Sequence, residues 1–281
     1  MLNRTFAACI GAALLLSACG GKSETPSPTA PASAPSASAA SQAGLDTNKT
    51  YIVATDASYA PMEYMEGNKV VGFSHDVLDA AAKSENVKLE FVNTPFEGIL
   101  ANVDKGDSDI ALASISITDE RKQQVDFSDP YFQATQMVIT TERHADSIKS
   151  FADLKTRAVS VQHSTSGDNI LQNLQGKDST NIKRFDTMPL AFKELESGGV
   201  DAVVGDSSVV GYYFSQNPNA KLHTLIDPSF PTENYAFAFR KGRNDGLREA
   251  INKGLSTIKA NGTYDKIHAQ WFSSAPQASG Q

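Results

Sequence analysis

Cysteine is nearly absent from this chain, which holds two among 281 residues, Cys9 and Cys19. Cys9 lies within an apolar segment at 6–16, which follows Arg4 and is too short to span a bilayer. Such a segment is typical of a signal peptide, and removal of the signal would take Cys9 with it. The mature chain then keeps Cys19 alone and cannot form an internal disulfide. Its stability must therefore come from a hydrophobic core.

Excess positive charge and long apolar runs are also missing. The formal net charge is -7 at pH 7, which argues against a protein that binds nucleic acid by neutralising phosphates. No apolar run after the signal approaches the length needed to cross a membrane. The 5 histidines show no paired spacing typical of metal ligands, so we expect neither a metal nor another cofactor.

Small residues lead directly into Cys19 in the segment Leu16-Ser17-Ala18-Cys19. This segment resembles the bacterial lipobox, in which the signal, here 1–18, is cleaved before a cysteine whose thiol is acylated. An ordinary secretory signal is the alternative. The following region, 19–47, is mostly Ser, Ala, Pro, Gly and Thr, a composition that predicts an unstructured tether. We therefore expect a lipid-anchored protein on the periplasmic or extracellular face of a bacterial membrane.

Beyond the tether, short β-rich runs alternate with amphipathic stretches, the pattern of parallel sheets covered by helices. Ser and Thr are natural helix caps, Pro favours the first turn, and Gly commonly ends a helix. The predicted elements are a buried strand over 51–54, a helix capped by Ser74 and running to about residue 85, a strand over 89–92, a helix begun by Pro95 and ended by Gly106, a strand over 236–239, a helix over 247–260, and a last helix capped by Thr263.

Two segments echo each other, KGDSDIA at 105–111 and GGVDAV at 198–203. Both run from a helix end through Gly and Asp into a buried strand, which predicts two similar lobes. The simplest layout assigns 48–137 plus 233–273 to the first lobe, 138–232 to the second, and 274–281 to a flexible tail. Two crossings, near 136–140 and 233–236, would then form a hinge with a cleft between the lobes.

Five motifs in order carry a family resemblance. They are ATDASYAP at 54–61, VGF at 71–73, SISITDER at 114–121, VDFSDPY at 125–131 and NGTY at 261–264. On these motifs the chain resembles the periplasmic amino-acid-binding proteins, which include the glutamine, histidine and lysine/arginine/ornithine receptors. The resemblance implies an α/β, two-lobed periplasmic-binding-protein fold of type II. Each lobe would hold a mixed, mostly parallel sheet flanked by helices, and the chain would cross the hinge twice.

The same resemblance implies a function. A monomer would capture a free amino acid between its lobes and deliver it to the membrane permease of an ABC importer, without enzymatic activity. A periplasmic dehydratase-like enzyme on the same fold is the alternative from another class. The sequence shows no Gly-x-Ser-x-Gly motif, no phosphate-binding glycine loop and no catalytic cysteine for such an activity.

Arg121 follows a helix start in which Thr118 is a natural N-cap and the next residues are acidic. A guanidinium offers a planar fork that matches a carboxylate. From the residues alone, a surface ion pair with Asp126 or Glu120 is the stronger interpretation. The family resemblance instead assigns Arg121 to the α-carboxylate of the ligand.

The resemblance also assigns residues to the part that all amino acids share. Ser116 and the backbone of Ser114 match positions that bind the α-carboxylate and α-ammonium groups, and Thr165 and Ser166 match a helix start that completes carboxylate binding. Asp206 matches the aspartate that pairs with the α-ammonium. Because Asp206 follows a buried strand at a helix start, it also suits an N-cap role, and both roles can coexist.

For the ligand side chain, Asp56, Tyr59 and Phe96 match an acid and two aromatic residues of the first-lobe pocket, and Gln162 matches a position that helps to select the ligand. Aromatic faces and an acid favour arginine, lysine or histidine. Against this, Ser74 stands where the lysine/arginine/ornithine receptors have an aspartate. Glutamine or another polar amino acid therefore stays open.

Overall fold

The computed structural model describes residues 44–272, and the predicted signal peptide, Cys19, the greater part of the tether and the tail at 274–281 lie outside them. The strands are β1 Thr50–Thr55, β2 Ser58–Tyr59, β3 Glu63–Glu66, β4 Lys69–Val71, β5 Lys88–Asn93, β6 Ile110–Ala111, β7 Val125–Phe127, β8 Phe132–Ala134, β9 Gln136–Thr141, β10 Val159–Gln162, β11 Ile182–Phe185, β12 Ala202–Asp206, β13 Leu222–Leu225, β14 Glu233–Tyr235 and β15 Ala238–Arg240. The α-helices are α1 Phe73–Ser84, α2 Ile99–Lys105, α3 Asp119–Gln124, α4 Glu142–Ala145, α5 Ser166–Gln175, α6 Met188–Glu196, α7 Ser207–Gln216, α8 Leu247–Ala260 and α9 Thr263–Phe272, with a 3-10 helix at Phe151–Thr156. None of these helices is both long and apolar enough to cross a membrane.

Two five-stranded sheets form the centres of the two lobes. The first has the order β5-β1-β6-β15-β7 and the second the order β11-β10-β12-β9-β13. In each sheet one strand, β15 or β9, runs against the others. This arrangement confirms the predicted fold of mixed, mostly parallel sheets flanked by helices.

The chain passes between the sheets twice, once through β8 and once through β14. These two strands pair with each other in antiparallel register, with Phe132 opposite Tyr235 and Ala134 opposite Glu233. We call β8 and β14 the connecting ribbon. The strands β2, β3 and β4, which follow β1 in the chain, form a separate small sheet. This sheet includes residues of the cavity described below.

The first lobe is held together by the packing of α1 on α8. The face of α1 predicted to be apolar is buried, with Val77, Leu78, Ala81 and Ala82 each at most 1% exposed. Gly254 of α8 allows a close backbone approach, because a Cβ atom there would lie 2.1 Å from the carbonyl oxygen of Ala81. Substitution of this glycine would force the two helices apart.

The predicted start of α1 was wrong by two positions for a tertiary reason. The helix begins at Phe73, and its N-cap is Gly72 with φ +132°. A Cβ atom at Gly72 would lie 2.2 Å from the carbonyl oxygen of Met62, so glycine is required there. Ser74 is not a cap; it is buried, and its hydroxyl accepts a hydrogen bond of 3.0 Å from Tyr131.

The predicted helix start at Pro95 was also wrong. The helix begins at Ile99, preceded by Gly98 in the left-handed conformation with φ +84°. Gly106 ends it as predicted, again in the left-handed conformation. The turn at 96–98 leaves Phe96 outside the helix, in the loop that reaches the cavity.

The C-terminal elements differ from prediction mainly at their ends. The strand expected over 236–239 pairs only at Ala238–Arg240, because the two preceding amides bond to a loop carbonyl and a serine hydroxyl instead. The helix at Leu247–Ala260 is confirmed. Thr263 is the first residue of the last helix rather than its cap.

Candidate ligand-binding cavity

The residues selected from the sequence all line one cavity between the two sheets. They are Asp56, Tyr59, Phe96, Ser114, Ser116, Arg121, Gln162, Thr165, Ser166 and Asp206. Glu63 and Ala113 complete the lining. Asp56, Gln162 and Asp206 lie at or just after the carboxyl ends of β1, β10 and β12, the edge at which open α/β sheets bind ligands. Contact of these residues with a ligand stays a prediction.

Arg121 is held by neutral carbonyls rather than by an acid. Its Nη1 donates to the Ser116 carbonyl at 2.9 Å and its Nη2 to the Ser164 carbonyl at 3.3 Å. Thr118 caps the short helix as predicted, accepting from the Arg121 amide at 3.1 Å. Among residues 44–272 no ion pair of Arg121 is found, and Asp126 pairs with Lys241 at 3.1 Å instead. A guanidinium in this arrangement keeps its charge available for an anion in the cavity.

The loop before α3 has an unusual backbone. Ser114 adopts the left-handed conformation with φ +47°, which is uncommon for a residue other than glycine and costs of order 1 kcal/mol. Both Ser114 and Ser116 are buried, at 4% and 2% exposed. Such strain often lies at functional sites, and here it turns the backbone of the loop around one side of the cavity.

The start of α5 forms a second potential anion site. Thr165 is the N-cap; its hydroxyl accepts from the Asp168 amide at 3.2 Å and donates to the Gln162 carbonyl at 2.8 Å. The N-terminal end of a helix favours negative charge. The buried carboxylate of Asp168 would oppose an anion there, but Arg184 Nε bonds both of its oxygens, at 2.8 and 3.1 Å. The positive N-terminal end of α5 therefore remains able to attract an anion in the cavity.

Asp56 and Gln162 meet across the cavity. Asp56 is 5% exposed and accepts 2.7 Å hydrogen bonds from the Ser58 hydroxyl and from Gln162 Nε2. Burial raises the pKa of the Asp56 carboxyl, and these hydrogen bonds oppose the shift. Because Asp56 follows β1 of the first sheet and Gln162 ends β10 of the second, their hydrogen bond joins the two lobes.

Asp206 does not play the capping role that its position allowed. It occupies the N-cap position of α7, but its side chain makes no capping hydrogen bond. Its carboxylate instead accepts from Gln136 Nε2 and from the Tyr235 hydroxyl, each at 2.5 Å. Burial, followed by the nearby charge of Glu233, raises the pKa of Asp206 to about 6. The predicted capping role of Asp206 is therefore wrong, and its predicted role in binding the α-ammonium group stays a prediction.

Glu63 is the acid that sequence reasoning missed. It is fully buried, and its Oε2 accepts from the Ser114 hydroxyl at 3.1 Å, while Oε1 has no hydrogen-bond partner in the described part of the chain. Burial raises the pKa of its carboxyl to about 8. Register explains its position, because Glu63 pairs with Tyr59 across the β2–β3 hairpin. Recognising that hairpin would have placed Glu63 beside a predicted cavity residue.

Comparison with known proteins gives the same picture over most of the chain. The family model of the bacterial extracellular solute-binding proteins, family 3, matches residues 51–274. A probable histidine-binding protein of Neisseria gonorrhoeae is 38% identical and aligned over 92% of this chain and 91% of its own length. The ABC transporter arginine-binding protein 1 of Escherichia coli K12 is 32% identical over 77% of this chain and 88% of its own.

A solved structure agrees in fold. The arginine-, lysine-, histidine-binding protein ArtJ of Geobacillus stearothermophilus superposes with a TM-score of 0.76 and 38% identity, covering 82% of this chain and 97% of that one. These relatives are described as binding proteins rather than enzymes. The chain belongs to the bacterial extracellular solute-binding proteins of family 3.

Proposed function

We propose that this protein binds a free basic L-amino acid, arginine, lysine or histidine, and delivers it to the permease of an ABC importer. The observation that carries the choice is the charge of the cavity, where the carboxylates of Asp56 and Asp206 share the lining with one guanidinium, that of Arg121, and with Glu63, whose carboxyl has a pKa of about 8 and so holds a proton near neutral pH. A basic amino acid has one carboxylate and two cationic groups. Its charges therefore complement those of the lining.

The relatives support the same choice, since their names specify histidine, arginine, or arginine, lysine and histidine. The argument for glutamine rested on Ser74, which lacks the carboxylate of the lysine/arginine/ornithine receptors. In the structure Ser74 is buried in α1 and does not line the cavity, whereas Glu63 does. Glu63 can therefore add a further carboxyl group, protonated near neutral pH, whose oxygen can accept a hydrogen bond from a basic side chain.

A thermal-shift screen against the standard amino acids tests this function. A ligand at 100 times its dissociation constant stabilises the folded state by about 2.7 kcal/mol, so arginine, lysine or histidine should raise the melting temperature clearly. Glutamine should raise it much less. A shift with neutral amino acids only would overturn the basic choice, and no shift with any amino acid would overturn the function.

The same samples separate a binding protein from a dehydratase. After incubation, NMR spectra of the small molecule should show the amino acid returned unchanged, and prephenate as control should also stay intact. Conversion of prephenate would favour the enzymatic alternative.

We further propose that Cys19 carries a lipid that anchors the protein, on the evidence of the segment Leu16-Ser17-Ala18-Cys19. When the protein with its original Cys19 is expressed in bacteria fed a labelled fatty acid, it should carry the label and be found in the membrane fraction. Cys19→Ser should abolish the label without changing ligand binding, because the cavity lies at 56–206. Equal labelling of both proteins would contradict the anchor.

A further inference from the structure

The carboxylate of Asp206 is held by two residues of the segments that join the lobes. Gln136 begins β9, two positions after the end of β8, and Tyr235 ends β14, within the connecting ribbon. Each donates to a different oxygen of Asp206. Both are buried, at 1% and 0% exposed, and neither lines the cavity. They therefore contact the acid from behind rather than the space that a ligand would occupy.

Tyr235 also contacts the loop whose carbonyl group binds Arg121. Its backbone forms an isolated antiparallel bridge with Ser116, whose carbonyl accepts from Arg121 Nη1 at 2.9 Å. Its ring packs against Phe132, the residue opposite it in the ribbon, at 5.7 Å between ring centroids. One residue of the ribbon thus contacts the acid of the second lobe and the loop that supports the guanidinium of the first.

We propose that Gln136 and Tyr235 are positioning residues that hold Asp206 charged and oriented for the α-ammonium of the ligand, and that fix this orientation to the connecting ribbon. This inference rests on the proposed function only in that the ligand is an α-amino acid. Without these donors, the carboxylate of Asp206 would face a buried, acid-rich site with less to stabilise its charge.

The surroundings of Asp206 set the direction of the expected effect. The groups that face it are Tyr59, Glu63, Arg121, Gln136, Glu233 and Tyr235. Burial and Glu233 raise the pKa of Asp206 to about 6, while the hydrogen bonds from Tyr235 and Gln136, together with the nearby Tyr59 hydroxyl, lower it. Removing the Tyr235 hydroxyl should raise this pKa further. Since an α-ammonium needs the ionised form, the fall in affinity on acidification should then begin at a higher pH.

Titration calorimetry of Tyr235→Phe with arginine tests the proposal. Near pH 7 we expect about tenfold weaker binding or more, the usual effect of losing a hydrogen bond to a charged group. Affinity should recover as the pH rises, and the whole pH profile should be displaced toward higher pH relative to that of the unmodified protein. Tyr131→Phe is the matched control, because Tyr131 is equally buried but donates to Ser74. It should leave the profile unchanged.

A double-mutant cycle and a second ligand separate positioning from general damage. In an Asp206→Asn background, Tyr235→Phe should cause little further loss, because the charge that it stabilises is gone. Tyr235→Phe should also spare δ-guanidinovaleric acid, which is arginine without its α-ammonium group. The proposal would be overturned if Tyr235→Phe left the pH profile unshifted. It would also be overturned if Tyr235→Phe caused the same loss of affinity in the Asp206→Asn background as in the unmodified protein. Failure of the unmodified protein to bind any amino acid would instead refute the proposed function.

Discussion

Arg121→Ala should weaken the binding of every amino-acid ligand by about thirty-fold or more. The guanidinium has no acidic partner among the described residues and is supported by two carbonyls, so it is the charged group available to the ligand carboxylate. Truncating one member of a desolvated charge pair costs about 2 to 5 kcal/mol, largely because the other charge is left unpaired. Titration calorimetry with arginine, lysine, histidine and glutamine should show comparable losses for all that bind.

Two controls define what the loss means. Arg121→Lys keeps the charge but not the planar fork, so we expect intermediate binding. Arg248→Ala removes a partly exposed guanidinium that pairs with Glu249 at 3.0 Å, and surface pairs of this kind contribute little. If Arg121→Ala binds within a few-fold of the unmodified protein, as Arg248→Ala should, Arg121 is not the carboxylate-binding residue.

Asp56→Asn should separate cationic from neutral ligands. The change keeps the shape of the side chain and an oxygen that can accept from Ser58 or Gln162, but it removes the charge. Binding of arginine or lysine should weaken by about 1.5 to 3 kcal/mol, the contribution of a hydrogen bond to a charged group. A neutral ligand such as glutamine should lose much less.

Asp206→Asn is the matched comparison, because Asp206 is predicted to bind the α-ammonium that all amino acids share. It should weaken cationic and neutral ligands alike in the same competition series. Equal losses for all ligands at Asp56 would show that this acid contacts the shared part of the ligand. The assignment of a basic side chain would then lose its main support.

The sequence was most informative where a short segment determines the conformation of the loop that it forms. The motif at 114–121 combines a helix cap with the arginine that follows it, and both lie where expected. The residues chosen on either side of the cavity likewise converge, because each follows or ends a strand whose register is fixed by burial. The family resemblance therefore predicted the residues of the cavity better than local patterns predicted the ends of the elements.

The errors arose where distant backbone decides the outcome. Helix α1 begins at Phe73 because Gly72 must approach the Met62 carbonyl, a contact that no local pattern reveals. Glu63 escaped notice because a short hairpin, not a long periodic element, brings it opposite Tyr59. The carboxylate of Asp206 accepts from Gln136 of β9 and Tyr235 of the connecting ribbon rather than from its own helix, since these two buried donors from remote parts of the chain reach it.

If Asp56 binds the ligand side chain as predicted, its hydrogen bond with Gln162 makes that recognition a competition between donors. A ligand side chain at the Oδ2 atom of Asp56 would compete with the amide of Gln162, which already donates to that atom at 2.7 Å. A glutamine side chain would swap one neutral amide for another, with little net gain. A guanidinium or ammonium would replace a neutral donor with a charged one, which adds a direct charge–charge attraction to the hydrogen bond with the carboxylate. Only a ligand group that binds Asp56 more strongly than the amide of Gln162 does would then gain affinity from this contact.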